Sequence, residues 1–531
     1  MKKINLLFFV FPVFVFAQQI KTLDIEKNEE WFGGAVNEAH KMPFKNGYSI
    51  NLYGDNKGNQ TSPLFLSSTG RYIWSEEPFE FTLKDGKIIL SKATGEIEIA
   101  RGGNTLAESF KAVSHQFFPA TGILPDTLLF SKPQYNTWIE LVYDQNQDDI
   151  LKYAHSIIAN GFPPGVLMID DNWANDYGNF KFRKEKFPDA KKMIEELHGM
   201  GFKVMVWISP FISPDSEIFR ELTSKKLLLL DSNGDTTLSW ANAEKPAIIN
   251  WWNGYSALMD FTNPKAIDWF NEQLDRVVKN YGVDGFKFDA GDMEFYPSNA
   301  VSYKEVSPNE HSKLWGLFGL KYPLNEYRAM WKNGGQPIVE RLRDKEHTWS
   351  DLKKLIPHIT TAGLLGYQFT CPDMIGGGEF GSFIGRDKLD EELVVRSAQC
   401  SALMPMMQFS VAPWRILNQK NLDAVKKAVD LRLRYTPYIL EMAKASAKSG
   451  EPIVRNLEYM FPNQGYADVQ DQFMLGNKYM IAPLLERANQ RKIFFPKGLW
   501  KDEYGNLIKG PTVKNVIVPI DTLPVFELVK K

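Results

Sequence analysis

The sequence predicts a (β/α)8 TIM barrel flanked by an N-terminal β-sandwich and a small C-terminal β-sandwich. Two observations carry this. From Tyr135 to about residue 450, short apolar runs alternate with amphipathic helical stretches. That rhythm belongs to a parallel sheet with both faces covered, and the number of units suits a barrel. On either side, short alternating strands are separated by Gly, Asn and Asp clusters, as in antiparallel sheets. The chain has 531 residues, 44% of them hydrophobic, which is too long for one ordinary small core.

Taken in order, residues 1–17 stand apart from the fold. Lys2 and Lys3 precede an apolar run from Ile4 to Ala17, and Val15 and Ala17 occupy the small-residue positions before a cleavage site. This reads as a signal peptide, so the mature chain is expected to be exported, to the periplasm or the extracellular space. Residues 18–133 form the predicted N-terminal β-sandwich, with strands over Tyr48–Tyr53, Phe79–Leu83 and Lys87–Leu90. Residues 134–450 form the predicted catalytic barrel. Its strands fall over Trp138–Val142, Gly165–Asp170, Lys203–Ile208, Gly285–Asp289, Ile338–Leu342 and Leu364–Phe369. A helix over Ala190–Met200 stops at Gly201, and a long helix over Leu422–Lys448 closes the barrel. Residues 451–531 return to strands, over Lys478–Leu485, Arg491–Phe495 and Asn515–Ile520.

Composition removes several function classes. Lys+Arg 62 against Asp+Glu 64 leaves no basic excess for a phosphate backbone, so no nucleic-acid partner is expected. No segment after residue 17 approaches the ~18 apolar residues of a membrane span. Cys371 and Cys400 are too few for a disulfide framework, and the seven His show no zinc-type spacing. Gly376 to Gly381 spells G-x-G-x-x-G, but without the βαβ unit that dinucleotide binding needs. No cofactor and no metal are expected.

Polar residues at the carboxyl ends of barrel strands point into the active site. Three predicted strands end in acids: Asp170 and Asp171, Asp289 with Asp292, and Asp373; Asp344 follows the strand ending near Arg341. Adjacent acids on a strand face opposite ways, so Asp170 and Asp171 do not converge on one cation. Two carboxyl groups facing each other across a cleft can run glycoside hydrolysis, one attacking the anomeric carbon and the other protonating the leaving oxygen.

Lys287-Phe-Asp289-Ala-Gly291 and Pro372-Asp373-Met-Ile-Gly376-Gly377 resemble glycoside hydrolase family 31, in its branch around the myogenesis-regulating glycosidase and bacterial α-galactosidases. Phe187-Pro188-Asp189, Asp260-Phe-Thr-Asn263-Pro264 and the tail from Asp471 to Phe526 are similar to further family stretches. The resemblance implies the three-part fold, Asp289 as nucleophile, and Asp344, with Trp349 five residues on, as acid/base. It implies Asp170 as a ligand for O4 or O6, with Asp373 and Arg396 as further sugar contacts. Asp171, Lys287 and Arg341 join them as strand-end candidates, and Trp173, Trp252 and Trp349 as walls. Cys371 would sit beside an axial O4.

Asp289 should stay ionised beside Lys287, and Asp344 should be kept protonated by neighbouring negative charge, with Arg343 turned elsewhere. This chain has Asp292 where the branch commonly has Glu, Arg343 where many relatives have Gly, and Ser410 where relatives often have His. The expected function is an exported retaining exo-α-glycosidase, α-galactosidase first, acting on an α-linked oligosaccharide or glycoside. α-Glucosidase, α-xylosidase and transglycosylase differ from it only in pocket or acceptor. A non-catalytic sugar binder would have no need of both Asp289 and Asp344.

Overall fold

The computed structural model describes residues 20–233, 245–386 and 388–531; the expected signal peptide lies outside them. Eight strands form the barrel: β1 (Gln134–Asn136), β2 (Val166–Ile169), β3 (Lys203–Ile208), β4 (Gly285–Phe288), β5 (Asn325–Tyr327), β6 (Val339–Arg341), β7 (Phe369–Cys371) and β8 (Gln408–Phe409). Neighbours in the sheet are parallel throughout, running from β7 back through β6, β5, β4, β3, β2 and β1 to β8. The remaining gap, between β7 and β8, is crossed by the Ile375 N–H donating to Gln408 O at 2.8 Å.

Two expected strands are displaced. Trp138–Leu141 is a helical turn following β1, and the Asn136 side chain accepts from the Trp138 N–H to start it. The apolar Trp-Ile-Glu-Leu-Val run masks the polar strand before it. Leu364 ends the helix Trp349–Leu364, and only after Gly366, at φ +90°, does the chain extend into β7. Strands β5 and β8 are three and two residues long and polar, so hydrophobic periodicity does not mark them.

The helices start and stop on local chemistry. Helix Pro264–Tyr281 has Asn263 as N-cap, Pro264 in its first turn, and Gly282 in the left-handed conformation at its end. Helix Gln419–Ser449 is capped by Asn418 and stopped by Gly450 in the same way, matching the predicted closing helix.

The N-terminal part forms a four-stranded and a five-stranded sheet, and the helix Leu106–Phe117 follows them where only strands were expected. One strand of the larger sheet is not N-terminal at all. Met330–Trp331, just after β5, pairs in parallel with Gln60–Ser67. The C-terminal strands form a six-stranded antiparallel sheet, with a register shift between Phe495 and Gly498. Among the described residues no helix is long and apolar enough to cross a membrane.

Candidate active site

Period-two alternation on β4 sends Phe286 and Phe288 outward, against Tyr322 at 4.8 Å and Phe318 at 6.0 Å. Lys287 and Asp289 therefore share the inward face. Lys287 Nζ donates to Asp170 Oδ2 at 2.7 Å, closing a buried ion pair between β4 and the end of β2.

Asp289 is held from three sides. Its Oδ2 accepts from Trp207 Nε1 at 2.7 Å, and its Oδ1 from Arg328 Nε at 2.7 Å and Ala290 N at 2.8 Å. The far end of Arg328 donates to Asp292. Burial alone would raise the Asp289 carboxyl, but Arg328, then Lys287 and Arg341, together with the Trp207 hydrogen bond, hold it well below the usual carboxylate range. Asp292 goes the other way, raised by burial against the pull of Arg328.

The second carboxyl group is more open: the Asp344 side chain is 32% exposed against 12% for Asp289. Arg341, at the end of β6, donates through Nη1 to Asp344 Oδ1 and to Asp373 Oδ1, the latter at 2.9 Å. Asp373 Oδ2 accepts from the Lys345 and Gly378 backbone N–H groups at 2.5 and 2.8 Å. A Cβ on Gly378 would lie 2.6 Å from Asp373 Oδ1 and 2.8 Å from Asp344 Oδ1, so any larger residue there would push the two carboxylates out of place. Burial and then the Asp344 charge push Asp373 up to about 6, against Arg341 and Lys345.

Arg343 turns away, as expected, and donates to Lys57 O at 3.4 Å. The cation that faces Asp344 is Arg341, which the sequence placed among substrate contacts. Negative charge from Asp373 is therefore not its only strong neighbour, a correction to the expected setting of Asp344.

Asp171 follows Asp170 just after β2. Its Oδ2 accepts from Asn253 Nδ2 at 2.6 Å and Tyr177 Oη at 3.2 Å. Burial, then the charge of Asp170, pushes this carboxyl up to about 7. A cavity of about 200 Å³ adjoins it, lined by Asp171, Tyr177, Trp207 and Ser209 among others. Trp252 is 46% exposed and lies over the Arg328 guanidinium, 5.0 Å from CZ to ring centroid.

Trp173 is buried, packs against Phe182 at 4.6 Å, donates to Trp207 O at 2.7 Å and is among the residues lining the cavity beside Asp171. Three expected site residues serve elsewhere. Trp349 donates to Asp390 Oδ2 at 2.9 Å, because the helix it begins carries it toward the next helix start. Arg396 donates to Pro519 O and Val518 O at 3.0 and 3.1 Å and ties the barrel to the C-terminal sheet. Cys371 has no exposed surface; its thiol donates to Pro372 O at 3.1 Å, and burial pushes its pKa up. Ser410 Oγ is taken by the Ile139 backbone N–H at 2.7 Å. Among the described residues no cluster of three His, Cys, Asp or Glu is arranged to hold a metal ion.

Four further residues of the site, Arg328, Trp207, Tyr177 and Asn253, are not among those the sequence points to. Trp207 does carry a signal, since it lies near the end of a correctly predicted strand, where aromatic residues reach the pocket as acids do. Arg328 carries none, because β5 is invisible to hydrophobic periodicity.

Residues 129–442 match the glycosyl hydrolases family 31 TIM-barrel domain, and residues 450–528 match the glycosyl hydrolase family 31 C-terminal domain. The mouse (Mus musculus) myogenesis-regulating glycosidase is 32% identical over 430 residues, 79% of this chain and 59% of that protein. The alpha-xylosidase XylQ of Lactiplantibacillus pentosus is 24% identical over 499 residues, 86% of this chain and 61% of that protein. This chain thus spans about three fifths of the length of those two relatives. A Flavobacterium johnsoniae GH31 dextranase complexed with glucose shares the fold, with a TM-score of 0.85 at 20% identity, covering 97% of this chain and 67% of that one. With both domain matches in place around a parallel barrel whose strand ends carry Asp170, Asp289, Asp344 and Asp373, the chain belongs to glycoside hydrolase family 31.

Proposed function

We propose that the chain is a retaining exo-α-glycosidase that prefers α-galactosides. The carrying observation is the opposed setting of two carboxyl groups. Asp289 is buried and held ionised by Arg328, whereas Asp344 is the more exposed and shares Arg341 with Asp373. Asp289 attacks the anomeric carbon while Asp344 gives its proton to the leaving oxygen, and the glycosidic bond breaks. Water, deprotonated by Asp344, then attacks the same carbon and releases Asp289; two displacements restore the original anomer. Asp170, Asp171, Asp373 and Trp252 bind the sugar in this scheme, with Lys287 holding Asp170 and Arg341 holding Asp373.

The galactoside preference rests on the likeness to the myogenesis-regulating glycosidase branch, because Cys371 offers no exposed sulfur. The α-xylosidase among the relatives makes xylosides the competing substrate class. Initial rates on p-nitrophenyl α-galactoside, α-glucoside and α-xyloside decide between them, and proton NMR of the first anomer released reads the stereochemistry. We expect the galactoside to be fastest and the α-anomer to appear first. A faster xyloside overturns the preference, and a β-anomer overturns double displacement.

Export is part of the same proposal, on the strength of Lys2, Lys3 and the apolar run to Ala17. Expression in a Gram-negative host should yield a mature chain beginning at Gln18; a protein retaining Met1 in the cytosol would sink this.

A further inference from the structure

The strands Ile248–Trp251 and Gly254–Leu258 form a hairpin that turns on Trp252 and Asn253 alone, since Trp251 pairs with Gly254. Gly254 takes φ +98°, which an L side chain would resist at so tight a turn. The hairpin's sheet partner, Phe211–Ile212, pairs with Leu258 and Ala257, at the end remote from the turn. The ladder therefore anchors the base of the hairpin and leaves its tip to side chains.

At that tip, Trp252 packs against Trp251 at 4.9 Å and Phe295 at 5.6 Å and lies over Arg328, the group that donates to Asp289. Asn253 next to it is engaged from three directions. Its Nδ2 donates to Asp171 Oδ2 at 2.6 Å and to Tyr177 Oη at 2.8 Å, and its Oδ1 accepts from Tyr143 Oη at 2.7 Å. Those partners belong to the loops that follow β1 and β2. One carboxamide thus joins the hairpin tip to two barrel loops. It also satisfies a buried acid whose other oxygen, Oδ1, has no hydrogen-bond partner.

We infer that Asn253 is a positioning residue: it latches the hairpin tip to Asp171, Tyr177 and Tyr143 so that Trp252 stays over Arg328 and walls the pocket where Asp289 reacts. This rests on the proposed role of Asp289 and of the pocket as a glycoside site. Asn253 needs no contact with the sugar to act: its effect passes through Trp252 and through Asp171, which it also holds.

A double-mutant cycle on kcat/KM tests the latch. Asn253→Ala should lower kcat/KM by about tenfold, the equivalent of roughly one hydrogen bond, with the change carried by KM and the melting temperature held. Asn253→Asp keeps the shape but sets an acid against Asp171, and should be impaired as much as the alanine variant. The key arm is Trp252→Ala with Asn253→Ala: the loss in the double variant should fall short of the sum of the two single losses, because the tip has no tryptophan left to position. Additive losses would overturn the latch in favour of two independent contacts, as would wild-type KM in Asn253→Ala. Asp289→Asn, assayed alongside, separates the two levels: activity surviving there overturns the assigned nucleophile, not the latch.

Discussion

Replacing Asp289 with Asn should abolish turnover, with kcat/KM falling by about 10⁴-fold or more, as for other covalent nucleophiles. The amide is isosteric but cannot form the glycosyl ester. Folding should survive, because Arg328 keeps Asp292 as a partner and Trp207 keeps an oxygen acceptor. The sharper arm uses Asp289→Gly, which opens the space the carboxylate filled. Added azide would then attack from the vacated side in one displacement and give a β-glycosyl azide from an α-glycoside. Rescue with that stereochemistry identifies the group removed as the nucleophile. A variant that keeps a tenth of wild-type activity without azide would place the nucleophile elsewhere.

Asp344→Ala is expected to cost about 10²–10⁴-fold on substrates with poor leaving groups, the usual worth of a positioned acid, and far less on nitrophenyl glycosides. The same substitution should change the pH profile. Asp373 retains its proton up to about 6 because it is buried and faces Asp344. The sign follows from a raised carboxyl: below that pH Asp373 is neutral and above it Asp373 is ionised, and removing the Asp344 charge takes away one cause of the rise. The limb of kcat/KM that breaks near pH 6 should therefore move to lower pH in Asp344→Ala. An unchanged limb in the variant would assign the proton to another group.

What the sequence makes visible follows from where each signal resides. The strand that ends in Asp289 is legible because Gly285 to Asp289 alternates between outward phenylalanines and inward charges. Asp170, Asp289, Asp344 and Asp373 stand out because an acid that ends an apolar barrel strand is carried to the mouth of the barrel. The cations that set their charge states are harder to read. Arg341 is legible only as a contact, and Arg328 follows a strand of three polar residues that no periodicity reveals. Aromatic residues are the least legible. Trp173, Trp252 and Trp349 carry the same letter, yet one lines the cavity beside Asp171, one lies over Arg328 and one donates to Asp390; burial and partner decide, and neither is local in sequence. Arg396 shows the same limit, since two of its partners, Val518 and Pro519, lie more than a hundred residues away.

The pairing of Met330–Trp331 with Gln60–Ser67 bears on how this enzyme could be taken apart. Gln60 Nε2 donates to Arg328 O at 2.6 Å, and Gly58 O accepts from the Arg328 guanidinium at 3.3 Å. The N-terminal sheet is thus part of the scaffold that fixes the Asp289 counter-ion, although it supplies no acid to the reaction. A barrel cassette cut at residue 134 and grafted onto a foreign N-terminal module would keep Asp289 and Asp344 and lose the brace behind Arg328. Exchanging the barrel alone would separate Arg328 from Gly58 and Gln60, so the two parts travel as one unit.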